Sequence, residues 1–303
     1  MFRNLLTVED VSREDLDRIF ALSVKLKRER GCTEYLPLRG KSVGMIFAKS
    51  STRTRVSFEV GISELGGLPL YLDQAKMQIE RGESIADTAR VLGRYLHAIV
   101  IRTYSQDEIE ELAKNSGIPV INALTDEYHP CQVLADLFTI YEYSRKLSGI
   151  KLVFCGDGRS NVANSLIAAA KLTGVNMVIT APKGFEPNAE FLSRPSSGNG
   201  TATWEPDPIK AAANADYIYT DVWVSMGFED EAAERVRQLQ PYQVNSTMVA
   251  AASPQVKILH CLPAHRGMEI TDEVMDSANS IVFDQAENRL HVQKAILALL
   301  FDK

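Results

Sequence analysis

Short apolar runs rich in β-branched residues alternate along this chain with longer stretches whose apolar positions recur every three or four residues. The short runs predict strands at 43–48, 68–72, 98–101, 119–122, 152–155, 177–180, 217–220 and 257–260. Leu16, Ile19, Phe20 and Leu26 form the apolar stripe of a helix. Ser12, with Asp15 three residues on, opens that helix, and a basic turn before Gly31 closes it. Ser84 opens another in the same manner. Strand–helix alternation of this kind predicts the α/β class, with parallel sheets covered by helices on both faces.

The pattern restarts after a long helix over 129–147, which places a boundary near Ser148-Gly149. Two similar domains are expected, 1–147 and 148–285, each a parallel sheet flanked by helices, with the active site in the cleft between them. A last helix within 286–303 is expected to pack back across the domain junction. The polar stretch 194–200, RPSSGNG, reads as a surface loop. A length of 303 residues suits two domains.

Composition narrows the field of partners. Lys and Arg number 33 against 39 Asp and Glu, a formal net charge of −6. That balance argues against nucleic acid or an anionic membrane surface as the main partner. An anionic ligand must therefore meet a local cationic pocket. No apolar run approaches the roughly 20 residues of a membrane span, and the first ten residues carry no signal-peptide pattern. Cys32, Cys131, Cys155 and Cys261 form no CxxC pair, which reads as reduced thiols in a cytoplasmic protein.

The sharpest candidate chemistry is Ser51-Thr52-Arg53-Thr54-Arg55, between a strand and a helix. Free N–H groups and the positive dipole end suit a phosphate there. Guanidinium groups oppose that dipole unless an anion is present, so anion binding is favoured over a plain cap. Gly40-Lys41-Ser42 echoes a P-loop, but Tyr35 stands where its first glycine belongs, and the segment precedes a strand. Gly156-Asp157-Gly158 resembles a dinucleotide turn, yet Asn161 occupies the third glycine position and no acid closes the next strand. It reads as a tight strand–helix turn with Asn161 facing the ligand. His129-Pro130-Cys131-Gln132 starts a helix, with Pro130 at its first position; beside Arg102, at a strand end, His129 can donate to a developing oxyanion. Asp221-Val222-Trp223-Val224-Ser225-Met226-Gly227 and His260-Cys261-Leu262-Pro263 both follow strands. Zinc on His260, Cys261 and His265 is disfavoured by their irregular spacing. Arg289 lies near the start of the last helix.

Taken together, STRTR at 51–55, Gln78 before RGES, IRTY around Arg102, HPCQ at 129–132, GDGRSNVANS at 156–165, DVWVSMG at 221–227, HCLP at 260–263 and AENRLH at 286–291 resemble the carbamoyltransferase family, in the expected order over nearly the whole chain. STRTR and HPxQ are shared across that family, whereas SMG and HCLP resemble its ornithine-specific branch. The resemblance implies transfer of the carbamoyl group of carbamoyl phosphate to the side-chain amine of L-ornithine, giving citrulline and phosphate, in arginine biosynthesis. It implies that Ser51, Thr52, Arg53 and Thr54 cradle the phosphate, and that Gln78 is lent by a neighbouring subunit of a homotrimer. Arg102, His129 and Gln132 would hold the carbamoyl group, with Arg289 near its oxygen. Asn161, Asp221, Ser225 and Met226 would grip ornithine, while Cys261 and Leu262 orient its amine and, like Gln78, also count among the residues that bind carbamoyl phosphate. Arg102, His129, Cys261 and Arg289 are the implied catalytic set. No metal and no organic cofactor is implied. Glu80 and Phe228 depart from the family's usual residues. A carbamoyltransferase for putrescine, aspartate or an N-acylated ornithine is the nearest rival; a nicotinamide-dependent oxidoreductase and a phosphoanion-binding protein without activity are the others.

Overall fold

The computed structural model describes residues 2–32, 34–224 and 232–301, without the side chains of 80 and 81. The chain divides into two compact units, one formed by Met1–Phe138 with Asn288–Lys303 and the other by Thr139–Glu287. The last segment thus belongs with the first unit.

In the first unit the described strands are β1 (Ser42–Phe47), β2 (Leu68–Asp73), β3 (Ala98–Arg102) and β4 (Val120–Leu124). They form one parallel sheet in the order β2-β1-β3-β4. Its helices are α1 (Arg13–Arg28), α2 (Thr52–Glu64), α3 (Ile85–Tyr95) and α4 (Gln106–Ser116), followed by α5 (Pro130–Ser144), within which the chain passes to the second unit. Ser12 caps α1 with a reciprocal Asp15 bond, as its sequence predicts. Ile46, Ile99, Ile101 and Val120 pack with Ala89, Ile109 and Leu112 in a core between sheet and helices.

The second unit holds β5 (Lys151–Cys155), β6 (Asn176–Thr180), β7 (Thr201–Trp204), β8 (Tyr217–Thr220) and β9 (Lys257–His260). Their order is β7-β6-β5-β8-β9, again parallel. The helices are α6 (Asn161–Thr173), α7 (Ala189–Ser193), α8 (Pro208–Ala212), α9 (Ala232–Leu239), α10 (Ser246–Ala251) and α11 (Asp272–Met275); α12 (Val282–Phe301) carries the chain back to the first unit. Val153, Ile218, Ile258, Ala211 and Met248 lie in its core.

The α/β class and both parallel sheets match the sequence reading. Three details differ. β7 is an additional edge strand with a mostly exposed face, following the expected loop. The last helix begins at Val282, four residues before the expected 286, and α5 ends at Ser144 instead of 147.

Candidate active site

In a parallel sheet the carboxyl ends of the strands all point the same way, and polar residues gather just beyond them. Ser51 follows β1 and caps α2: its Oγ accepts the Thr54 N–H at 3.3 Å and donates to Thr54 Oγ1 at 3.0 Å. Arg289, on α12, donates from Nη2 to the same Thr54 Oγ1 at 2.8 Å. Thr52 and Arg53 are exposed in this first turn, whereas Arg55 is engaged, bonding Glu59 at 2.9 Å and lying 3.8 Å over the Tyr71 ring. Only one of the two guanidinium groups in the motif is thus left at the helix mouth.

Arg102 ends β3, where the register with β4 shifts, so that Ile101 faces Asn122 but Arg102 faces Leu124. Its side chain is buried. His129 sits immediately before α5, also buried. Burial pushes its imidazole well below the usual histidine range, and the positive charges of Arg289 and Arg102 push it the same way. The ring is therefore neutral at pH 7, a hydrogen-bond donor beside two cations. Gln132 follows one turn later, 1% exposed, donating from Nε2 to Asp136 Oδ1 at 2.8 Å. Cys131 points elsewhere, to the Asn122 carbonyl at 3.3 Å, and burial pushes its thiol up to about 12. The electrostatics of Thr54, Arg289, Arg102 and His129 thus come from four separate segments of the first unit. Gln78 opens a short 3-10 turn, Gln78–Arg81, with its side chain exposed.

The second unit repeats the arrangement with different chemistry. β8 and β9 are neighbours with Thr220 facing His260, so the residues that follow them meet. Cys261 Sγ–H donates to Asp221 Oδ1 at 2.8 Å. Removal from water pushes the Asp221 carboxyl above its usual range, against the bonds from Cys261 and the Val222 N–H. His260 is held deep in the unit. Its Nδ1 accepts the Leu262 N–H at 2.8 Å, so its Nε2 carries the proton toward Glu269 Oε1, 3.0 Å away. Glu269 also accepts the His265 N–H at 2.6 Å. This brace holds Leu262 in the left-handed region, φ 57. Asn161 opens α6 behind the Ser160 cap, at the end of β5, which pairs with β8. Ser225, Met226 and Phe228 lie outside the described residues, as does the side chain of Glu80.

The dinucleotide alternative meets an obstacle at Gly158. Its N–H is already donated to the Phe185 carbonyl at 2.9 Å, and a Cβ there would stand 2.8 Å from that oxygen and from the Pro187 nitrogen. The glycine serves close packing of its own chain. Among the described residues no group of three or more His, Cys, Asp or Glu is placed to hold a metal.

Three participants escaped the sequence reading. Asp136, four residues beyond Gln132, had the helical spacing to be found. Glu269 carried no such signal, because its partner His260 is nine residues away across a loop. Lys49 is buried beside the STRTR turn, bonds Asp126 from the loop before His129, and lies 4.1 Å over the Tyr104 ring; its adjacency to Ser51 was the available clue.

Two parallel α/β units whose polar residues collect beyond the strand ends, one with a guanidinium-lined helix mouth, define the class as a two-domain α/β protein with strand-end chemistry. Residues 3–142 match the family description "Aspartate/ornithine carbamoyltransferase, carbamoyl-P binding domain", and residues 148–300 match "Aspartate/ornithine carbamoyltransferase, Asp/Orn binding domain". The chain belongs to the aspartate/ornithine carbamoyltransferase family. It is 50% identical over 303 residues to the ornithine carbamoyltransferase of Methanosarcina acetivorans, covering 99% of each chain. Against that of Archaeoglobus fulgidus the identity is 50% over 304 residues, with 99% of this chain and 98% of the other covered. The structure of ornithine carbamoyltransferase from Pyrococcus furiosus superposes with a TM-score of 0.93 at 48% identity, covering 98% of this chain and 96% of that one.

Proposed function

We propose that this protein transfers the carbamoyl group of carbamoyl phosphate to the side-chain amine of L-ornithine, releasing phosphate and forming L-citrulline. The observation that carries the reading is the buried, neutral His129 within reach of the charges of Arg289 and Arg102, with Arg289 tied to Thr54 at the mouth of α2. A phosphate at that mouth meets the N–H groups of the first turn with Ser51, Thr52, Arg53 and Thr54 around it. The carbamoyl oxygen then faces fixed donors, Arg102, His129 and Arg289, which stabilise the charge that develops on it.

The amine attacks the carbamoyl carbon as the neutral base. A nitrogen–carbon bond forms, the bond from that carbon to the phosphate oxygen breaks, and the amine proton leaves with the phosphate. An alkyl amine has a pKa of about 10.4, so selecting the neutral form near pH 7.4 costs about 4 kcal/mol. One preorganised donor contributes roughly 3–4 kcal/mol at the transition state, so the three together are of sufficient size. Asn161, Asp221, Ser225 and Met226 are assigned to the α-amino and α-carboxylate groups of ornithine, and Cys261 and Leu262 to orienting the reacting amine. The Asp221 carboxyl, already withdrawn from water, gains most from an ammonium partner.

The same reading takes the protein as a cytoplasmic homotrimer serving arginine biosynthesis, with Gln78 completing a neighbour's site. Four free cysteines suit a reducing compartment, and no helix among the described residues is long and apolar enough to cross a membrane. Leu68 and Leu70 on the edge strand β2, with Val56 on α2, are exposed apolar residues that a second copy of the chain would cover.

The decisive experiment measures citrulline and phosphate from carbamoyl phosphate with L-ornithine, beside putrescine, L-aspartate and N-acetylornithine. Matched products with ornithine alone are expected. Preference for another amine would discard the roles of Asp221, Ser225 and Met226, and no phosphate release with any acceptor would discard the activity.

A further inference from the structure

The entry to α5 carries a polar stripe among the buried apolar residues Val133, Leu134, Ala135, Leu137 and Phe138. His129, Gln132 and Asp136 are spaced three and then four residues apart, which puts them along one face. Asp136 is fully buried and Gln132 nearly so. Gln132 donates from Nε2 to Asp136 Oδ1 at 2.8 Å, while its own Oε1 is buried and has no hydrogen-bond partner among the described residues.

An amide side chain has two prongs of similar shape, a donor and an acceptor, and can turn over to suit its neighbours. A carboxylate offers acceptors alone, so the prong facing Asp136 must be the NH2. The other prong is then an oxygen, held in place and desolvated. A buried acceptor without a partner is costly, and the cost is relieved by a ligand that brings an N–H to it.

We propose that Asp136 is a positioning residue for ligand selection: by fixing the Gln132 amide through the Nε2 bond, it presents Oε1 as an acceptor for the carbamoyl NH2 and so distinguishes a carbamoyl from an acetyl ligand. The inference rests on the carbamoyl phosphate reading above and refines it. Gln132 then serves the nitrogen side of the carbamoyl group, and polarising its carbonyl falls to Arg102, His129 and Arg289. Carbamoyl phosphate and acetyl phosphate differ by NH2 against CH3 and are nearly the same shape, so a cavity alone separates them poorly. A hydrogen-bonding acceptor separates them well, because the methyl group leaves it unpaired.

Two unreactive ligands isolate the effect: phosphonoacetamide, with the carbamoyl NH2, and acetonylphosphonate, with a methyl group in its place. Calorimetric titration of the wild-type protein is expected to give at least tenfold tighter binding of phosphonoacetamide. In Asp136→Leu the acceptor that fixes the amide is removed, and that ratio is expected to fall about tenfold toward unity, while acetonylphosphonate binds as before. Asp136→Asn keeps the shape with a neutral partner of either polarity, and its ratio is expected to fall about threefold. A ratio unchanged in whichever of the two variants folds overturns the proposal. Equal weakening of both ligands overturns it too, since that is the signature of general damage to the site. Failure of the wild-type protein to bind phosphonoacetamide, or to form citrulline, would instead remove the underlying carbamoyl phosphate reading.

Discussion

A buried imidazole that feels the charge of two guanidinium groups has every reason to stay neutral. Protonating His129 would add a third positive charge in a place with little water, and burial contributes most to that resistance. Any rise in activity with pH must then come from elsewhere, namely the ornithine amine losing its proton. Activity at low ornithine is expected to climb nearly tenfold per pH unit between 6 and 8. His129→Gln should lose about a hundredfold in kcat, as one oxyanion donor is worth, with the same slope. A flattened slope in that variant would make His129 the titrating base. Thiol chemistry follows from the same burial argument. Cys131, with its pKa pushed up to about 12, and the equally buried Cys155 should escape iodoacetamide in the native protein at pH 8, while exposed Cys32 is alkylated. Peptide mass spectrometry after brief labelling distinguishes them. At this scale the sequence was informative where residue type alone limits the chemistry, as with arginines at a helix start. It was silent where a side chain's role depends on which distant group it meets: nothing in the order of residues pairs Glu269 with His260, or directs the Cys261 thiol to Asp221.

Elements are legible when burial on both faces forces an apolar run, and β1, β3, β5 and β8 declare themselves this way. β7 does not, because an edge strand with one exposed face and four residues has too little pattern to stand out from the loop before it. The early start of α12 was hidden by Val282 and Phe283, which look more like strand than helix residues. The pairing of α12 with α2 could not be foreseen, although it bears on the proposed anion site. Arg289 holds the first turn of α2 through Thr54, and Lys294, fully buried, holds the last through Glu64 Oε2 at 2.6 Å. Between them Gly61 lets the helices approach, since a Cβ there would lie 3.1 Å from the Lys294 side chain. Burial pushes the Glu64 carboxyl up, but bonds from Lys294 and Arg30 outweigh it and hold the group below its ordinary value. A carboxyl lowered by folding stabilises the fold above its unfolded pKa of about 4.3, and that contribution is lost as pH falls through the folded value. Lys294→Met is therefore expected to lower stability by about 1–2 kcal/mol at pH 7, less than for a fully enclosed pair because Glu64 is partly exposed. The difference from wild type should shrink toward pH 3, and urea denaturation across that range measures it.

At the scale of the whole molecule, the test is whether one chain suffices. Leu68→Glu places a charge on an exposed apolar position of the edge strand, and is expected to leave monomers with little activity if copies assemble there. Sedimentation of the variant beside wild type checks the state directly. A sharper result comes from mixing two inactive forms, Arg102→Ala and Gln78→Ala, after mild dissociation. If Gln78 is lent to a neighbour, some hybrid interfaces combine an intact Arg102 with an intact Gln78, and activity returns. No recovery in demonstrably mixed assemblies would return Gln78 to its own chain.

The first unit is discontinuous: Met1–Phe138 is joined by Asn288–Lys303 only after all of Thr139–Glu287 has intervened. On the ribosome, the part that begins first is therefore finished last. Until α12 emerges, Thr54 lacks the guanidinium that braces it and Glu64 lacks its buried ammonium. A nascent chain halted between His260 and Asn288 would carry the STRTR turn and every strand of the second sheet without the braces of the proposed anion site, so such an interrupted translation product is disarmed by its own topology.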